Sequence, residues 1–158
     1  MRILRGLVFL LLLTTAGSAT LSFKEIGSIS NDSGTFSIWL VRGGTPDPAA
    51  ALKFRNTGKE GESNIIVLGS HIAQLKELCQ KSLAYSERLT KGQIVLIGSI
   101  PSGDNKLDVA IINVEGATIR LLVAHDGKHE HNFVLNKNNS TALYRLFDKA
   151  IQKLESVK

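Results

Sequence analysis

Three of the chain's four histidines fall within one short run, His125-Asp126-Gly127-Lys128-His129-Glu130-His131. Clustered imidazoles suit Zn(II), Cu(II) or Ni(II), and Asp126 or Glu130 could add an oxygen ligand. If Asp126 to Lys128 form a hairpin loop, residue 125 faces 129 and residue 123 faces 131. That register places Ile119, Leu121, Val123, Phe133 and Leu135 on one sheet face. It gathers His125, His129 and His131 at the end of the same face. A tighter Asp-Gly turn instead sends His125 to the opposite face. The competing reading is a polar hairpin tip whose histidines meet only solvent. The matching turn, Thr57 to Ser63, carries no histidine, so the architecture does not require them. Apart from this candidate Zn or Cu site, no cofactor is expected.

Trp39, Lys53 and Arg55 form the second candidate. Strand alternation puts Trp39 opposite Phe36 and Ile38, on the side it shares with Lys53 and Arg55. An aromatic beside two cations is what base stacking with phosphate contact requires. The competing reading is a tryptophan filling a sheet or dimer contact, with solvated cations at its edge. Nucleophilic catalysis needs a base beside a Ser, Thr or Cys. Only His71 adjoins a serine, and Ser70 there reads as a helix cap. Cys79 lies on an apolar helix face and reads as an inert buried thiol. Asn31, Asn138 and Asn139 occupy glycosylation sequons, which matter only in a host that glycosylates exported proteins. No catalytic constellation stands out, so the chain is expected to be no enzyme.

The elements that carry these residues are written twice. Ile26-Gly27-Ser28-Ile29 recurs as Ile97-Gly98-Ser99-Ile100, and the matched positions continue through Phe36/Leu107, Ile38/Val109 and Leu40/Ile111. Further on, Leu52 pairs with Leu121, Phe54 with Val123, Glu62 with Glu130, Ile65 with Phe133, and Leu78 with Leu146. The offset changes only at turns, where insertions are tolerated. Each copy reads as a short strand holding the IGSI string, three further strands separated by turns, and then a helix. Ser70 and Ser140 are the expected caps. The helix faces are Ile72, Leu75, Leu78, Cys79 and Leu83, and Leu143, Leu146, Phe147, Ala150, Ile151 and Leu154. Gly27 and Gly98 are expected at a bulge or a close backbone approach. The expected fold is α+β: a tandem ββββα duplication with two antiparallel four-stranded sheets, each covered by a helix. Residues 20–90 and 91–158 are the two repeats, packed as one domain. The opposite sheet faces are also partly apolar, through Trp39, Val41, Ile66 and Leu68, and through Ile112, Val114, Leu122 and Val134. They need a second cover, from the other copy or from a dimer partner.

The first residues, MRILRGLVFLLLLTTAGSAT, have the order of a secretory signal: Arg2 and Arg5, the apolar run Leu7 to Leu13, then Gly17 and Ala19 before a cleavage point. So short a run cannot span roughly 30 Å of hydrocarbon at about 1.5 Å per residue. Residues 1–19 are therefore expected to be removed, leaving an exported protein, periplasmic or secreted. Cleavage takes two of the 19 basic side chains and leaves the 14 acidic ones, so the mature surface is only mildly basic. With Cys79 the sole cysteine of 158 residues, no internal disulfide can form, and packing must hold the domain together.

A doubled ββββα unit, with Ile65-Ile66-Val67-Leu68 running into Leu75-Lys76-Glu77-Leu78, resembles the Whirly and PUR-alpha families. The resemblance covers the whole mature chain. It implies interlocked repeats and, as in those families, single-stranded nucleic acid bound on the sheets. Export argues for a different ligand, and fold analogy does not carry function. The expected function is thus an exported, non-enzymatic binding or assembly module acting through its sheet faces, as a homo-oligomer or with a protein partner. The alternatives are single-stranded nucleic-acid binding at Trp39, Lys53 and Arg55, and metal binding at the histidine hairpin.

Overall fold

The computed structural model describes residues 20–43, 47–127 and 129–157; the export signal expected at 1–19 lies outside them. The strands are β1 (Ser22–Asn31), β2 (Gly34–Arg42), β3 (Ala49–Asn56) and β4 (Ser63–Leu68), followed by helix α1 (Gly69–Ala84). Then come β5 (Ile94–Ser102), β6 (Asn105–Val114), β7 (Ala117–His125), β8 (Glu130–Leu135) and helix α2 (Lys137–Glu155). They build two antiparallel four-stranded sheets, in the orders β1-β2-β3-β4 and β5-β6-β7-β8. This is the α+β, tandem ββββα architecture that the duplicated pattern predicts.

Alternation drives the strands. Phe36, Ile38, Leu40, Leu52, Phe54 and Ile65 point inward from the first sheet, and Leu107, Val109, Ile111, Leu122 and Phe133 from the second; all are buried. All of these except Ile111 join the two helix faces in one cluster drawn from both halves. At its centre Phe36 packs on Phe54 and Phe133, with ring centroids 5.0 and 5.9 Å away, and on Phe147 of α2 at 6.2 Å. The core of each half is therefore completed by the other.

The helices are exchanged between the sheets. α1 packs on β5 and β6, α2 packs on β1 and β2, and the helices touch each other. Gly27 and Gly98 permit this crossing. Each follows a bulge, at Ile26 and Ile97, in the edge strand of its sheet. A Cβ on Gly27 would stand 2.9 Å from Leu146 Cδ1, and one on Gly98 would stand 2.6 Å from Leu78 Cδ2. Both expectations for these glycines hold together: the bulge and the close approach are one feature.

Side chains from the first half also seal the outer edge of β8. Asn56 Nδ2 donates to Asn132 O at 2.7 Å, and Asn56 Oδ1 accepts from Asn132 N at 2.9 Å. Val134 N donates to Ser33 Oγ at 3.1 Å, and Val134 O accepts from Asn31 Nδ2 at 2.9 Å. The matching contact in the other direction is Ser102 Oγ donating to Ile66 O on β4. These groups on the edge of β8, which would otherwise invite another strand, are satisfied within the chain.

Three local readings differ from expectation. In β7, Leu122 and Ala124 point inward, where Leu121 and Val123 were expected. The cause is the two-residue turn Glu115-Gly116, both at positive φ, which sets Ile112 opposite Ile119 and so turns Ile119 outward with it. The inward position beside Leu122 is Arg120, which donates from Nε to Ser82 O and from Nη2 to Tyr85 O at the C-terminal end of α1, a favourable place for a cation. Helix α1 starts at Gly69, whose N–H is taken by Pro48 O, and its cap position, Leu68, makes no side-chain bond. Helix α2 is capped by Asn136 and Asn139 in a reciprocal box, which moves Ser140 into the first turn.

Candidate functional site

On the first sheet the register sets Ser37 opposite Lys53 and Thr35 opposite Arg55, so Trp39, Lys53 and Arg55 share the outer face, as their spacing predicts. Lys53 Nζ lies 4.4 Å from the Trp39 ring centroid. Trp39 Nε1 donates to Ser37 Oγ at 2.9 Å. The ring packs on Val41, Ala49 and Ala51, a small apolar cluster separate from the main core. Glu62 holds both cations, with its carboxylate 3.7 Å from Lys53 Nζ and 3.6 Å from Arg55 Nη2. The result is an open cavity of about 460 Å³ lined by Glu25, Ser28, Ser37, Trp39, Lys53 and Glu62, among others. A base stacking on Trp39 has to displace Lys53, and a phosphate has to compete with Glu62 for both cations.

The histidine hairpin is built differently from the expected register. Ala124 pairs with His131 and His125 with Glu130, so the loop spans residues 126–129, one longer than anticipated. Asp126 closes it by accepting from His129 N at 2.7 Å. Lys128 lies outside the described residues. His131 points inward and is buried, its Nδ1 bonded to Ser63 Oγ at 2.7 Å, and its Nε2 is buried without a hydrogen-bond partner among the described residues. His129 is exposed, with its ring 6.0 Å from that of His131. His125 lies on the outer face. The structure thus separates His125 from the other two, because an even-numbered loop reverses the side on which it falls. Among the described residues, no group of three or more His, Cys, Asp or Glu side chains is placed to hold a metal ion.

His125 instead joins a charged cluster on the outer face of the second sheet. Its Nε2 is 3.1 Å from Asp108 Oδ2, and its Nδ1 is 3.4 Å from Glu130 Oε2. Lys106 Nζ is 2.7 Å from Asp108 Oδ2, and Ser99 Oγ donates to Asp108 Oδ1. Burial raises the Asp108 carboxyl, but the hydrogen bonds from Lys106 and Ser99, with the electrostatic influence of Lys106 and His125, outweigh it and hold the group below its ordinary value. Serine and histidine both bind the aspartate and do not meet each other, so this is no nucleophilic triad.

Beyond that cluster the second sheet's outer face is apolar. Ile94 is 64% exposed, Leu96 57% and Val114 43%. Ile112, Ile119, Leu121, Val123 and Val134 continue the face, half-buried. Of the outer positions expected from sequence, Leu122 is the exception, since it turns inward. On the first sheet Phe23, Ile66 and Leu68 are similarly exposed. Cys79 is buried, and burial pushes its thiol far above the ordinary value, as an inert core cysteine requires. Sequence reasoning missed Glu62 and Asp108. The pairing of Glu62 with Glu130 across the repeat was visible, but strand alternation alone does not say which cation a loop carboxylate reaches. In comparisons with known proteins, no family model and no curated protein matches this chain.

Proposed function

We propose that this protein is an exported, non-enzymatic assembly module that associates through the outer faces of its sheets, with itself or with a protein partner. The observation that carries the reading is the outer face of the second sheet. The inner faces are already closed by the exchanged helices, yet Ile94, Leu96 and Val114 remain exposed beside a continuous half-buried apolar surface. A contiguous surface of this kind favours association over solvation. Light scattering of the purified protein across a concentration series tests it. The expected result is a mass at or above twice that of one chain; a strict monomer at every concentration contradicts self-association through these faces.

Single-stranded nucleic-acid binding, which the Whirly resemblance implies, is the second reading. It is favoured by the shared face of Trp39, Lys53 and Arg55. It predicts salt-sensitive oligonucleotide binding that Trp39→Ala abolishes. The Glu62 carboxylate on both cations weighs against it.

A further inference from the structure

A second surface differs in kind from the outer faces. Strand β1 pairs only with β2, and among the described residues no other element pairs with its outer edge. This contrasts with β8, whose edge is closed by Asn31, Ser33 and Asn56. Alongside β1 runs the C-terminal half of α2, and between them lies a groove of about 390 Å³. Its floor is apolar, with Ile26 and Leu40 at 7% and 1% exposure. Its walls carry Lys24, Lys149 and Lys153 against one carboxylate, Glu25. None of the three lysines makes an ion pair among the described residues, whereas Lys76 and Lys81 on α1 are both paired.

We propose that this groove takes an extended acidic segment of a partner protein by strand addition to β1. The main-chain groups of the free edge supply affinity for any extended chain, and the lysines select its charge. The spacing agrees. Lys149 and Lys153 stand about one helical turn apart, roughly 5–6 Å. Alternate side chains on one face of a strand repeat at about 6.6 Å. Acidic residues at alternate positions of the added strand therefore meet both lysines, and the intervening residues turn to the other face. The equivalent groove between β5 and α1 lacks this chemistry. There Val95 stands for Lys24 and Tyr85 for Lys153, and Lys81, which stands for Lys149, is 2.7 Å from Glu77. The site uses the edge of β1 and not the outer faces, so it stands or falls apart from self-association.

The test is fluorescence anisotropy on the purified protein with a labelled peptide of about ten residues alternating Glu and Val, the length of an ordinary strand. The peptide is expected to bind in a salt-sensitive manner. Its Lys-Val counterpart and a version N-methylated at alternate amides are expected not to bind. The double variant Lys149→Glu/Lys153→Glu, both exposed positions, should weaken binding by about tenfold or more with the circular dichroism unchanged. No binding of the acidic peptide overturns the proposal. So does equal binding of the basic or N-methylated peptide, or full binding by the double variant. Binding of laurate in the groove, with none of the peptide, assigns the apolar floor to a lipid and also overturns it.

Discussion

The two sheets can be laid over each other strand by strand, and the comparison divides inside from outside. Inside, equivalent positions keep their character: Phe36 and Leu107, Ile38 and Val109, Ile65 and Phe133 are all buried, and the Gly27 and Gly98 bulges coincide. Outside, the same register positions change chemistry. Trp39 corresponds to Ala110, Ser37 to Asp108, Lys53 to Val123, Arg55 to His125 and Glu25 to Leu96. One outer face is a cavity of paired charges around an aromatic ring; the other is a broad apolar surface with a charged corner. Packing an exchanged helix constrains the inner positions in both halves alike. No such contact constrains the outer positions, so whatever distinguishes the halves functionally is written there.

The largest expected effect tests the shared interior. Phe36→Ala removes a ring that touches aromatic residues of both halves and should cost about 3–5 kcal/mol. Urea unfolding should remain a single transition shifted to lower midpoint; two separated transitions would show halves that fold independently. Next, alanine at the helix-crossing glycines should cost about 1–3 kcal/mol by overpacking. Gly98→Ala should exceed Gly27→Ala in the same assay, because the added Cβ would crowd Leu78 at 2.6 and 3.1 Å against a single contact of 2.9 Å with Leu146. An equal or reversed order would contradict the closer approach of α1. The smallest effect belongs to the charged corner. Asp108→Asn should cost about 1 kcal/mol at neutral pH, since hydrogen bonds to a charged group are lost. The native carboxyl lies below its ordinary value, so its contribution is full above the ordinary carboxylate range and is lost as pH falls through the depressed native value. The gap between wild type and variant should therefore narrow toward acid pH in thermal unfolding. Ser37→Ala at the equivalent position should show no such pH-dependent gap.

Much of this was legible in the residues, because strand alternation and helical periodicity report which side is buried. The inward faces of β2, β3, β4, β6 and β8 follow from alternation directly, and Trp39, Lys53 and Arg55 meet as their parity requires. The slip in β7 shows the limit. Leu121-Leu122-Val123-Ala124 is apolar at both parities, so alternation gives no decision, and the register comes from the Glu115-Gly116 turn. The expected register of the histidine hairpin was lost for a related reason: one extra loop residue reverses the side of His125. The exchange of helices was implied only by the family resemblance, since nothing in a repeat's own pattern states which sheet its helix covers. Gly27 and Gly98 carried that information, but only a partner helix explains their lack of a side chain.

The proposed assembly requires that the outer sheet faces bind a protein surface. Sedimentation velocity on three proteins measures this most directly: wild type, Leu96→Glu/Leu121→Glu on the second sheet, and Phe23→Glu/Leu68→Glu on the first. We expect the wild type to sediment as an oligomer, the second-sheet variant as a folded monomer, and the first-sheet variant to be weakened less. Oligomers that survive both pairs of charges unchanged, or a wild type that never associates, would contradict the account.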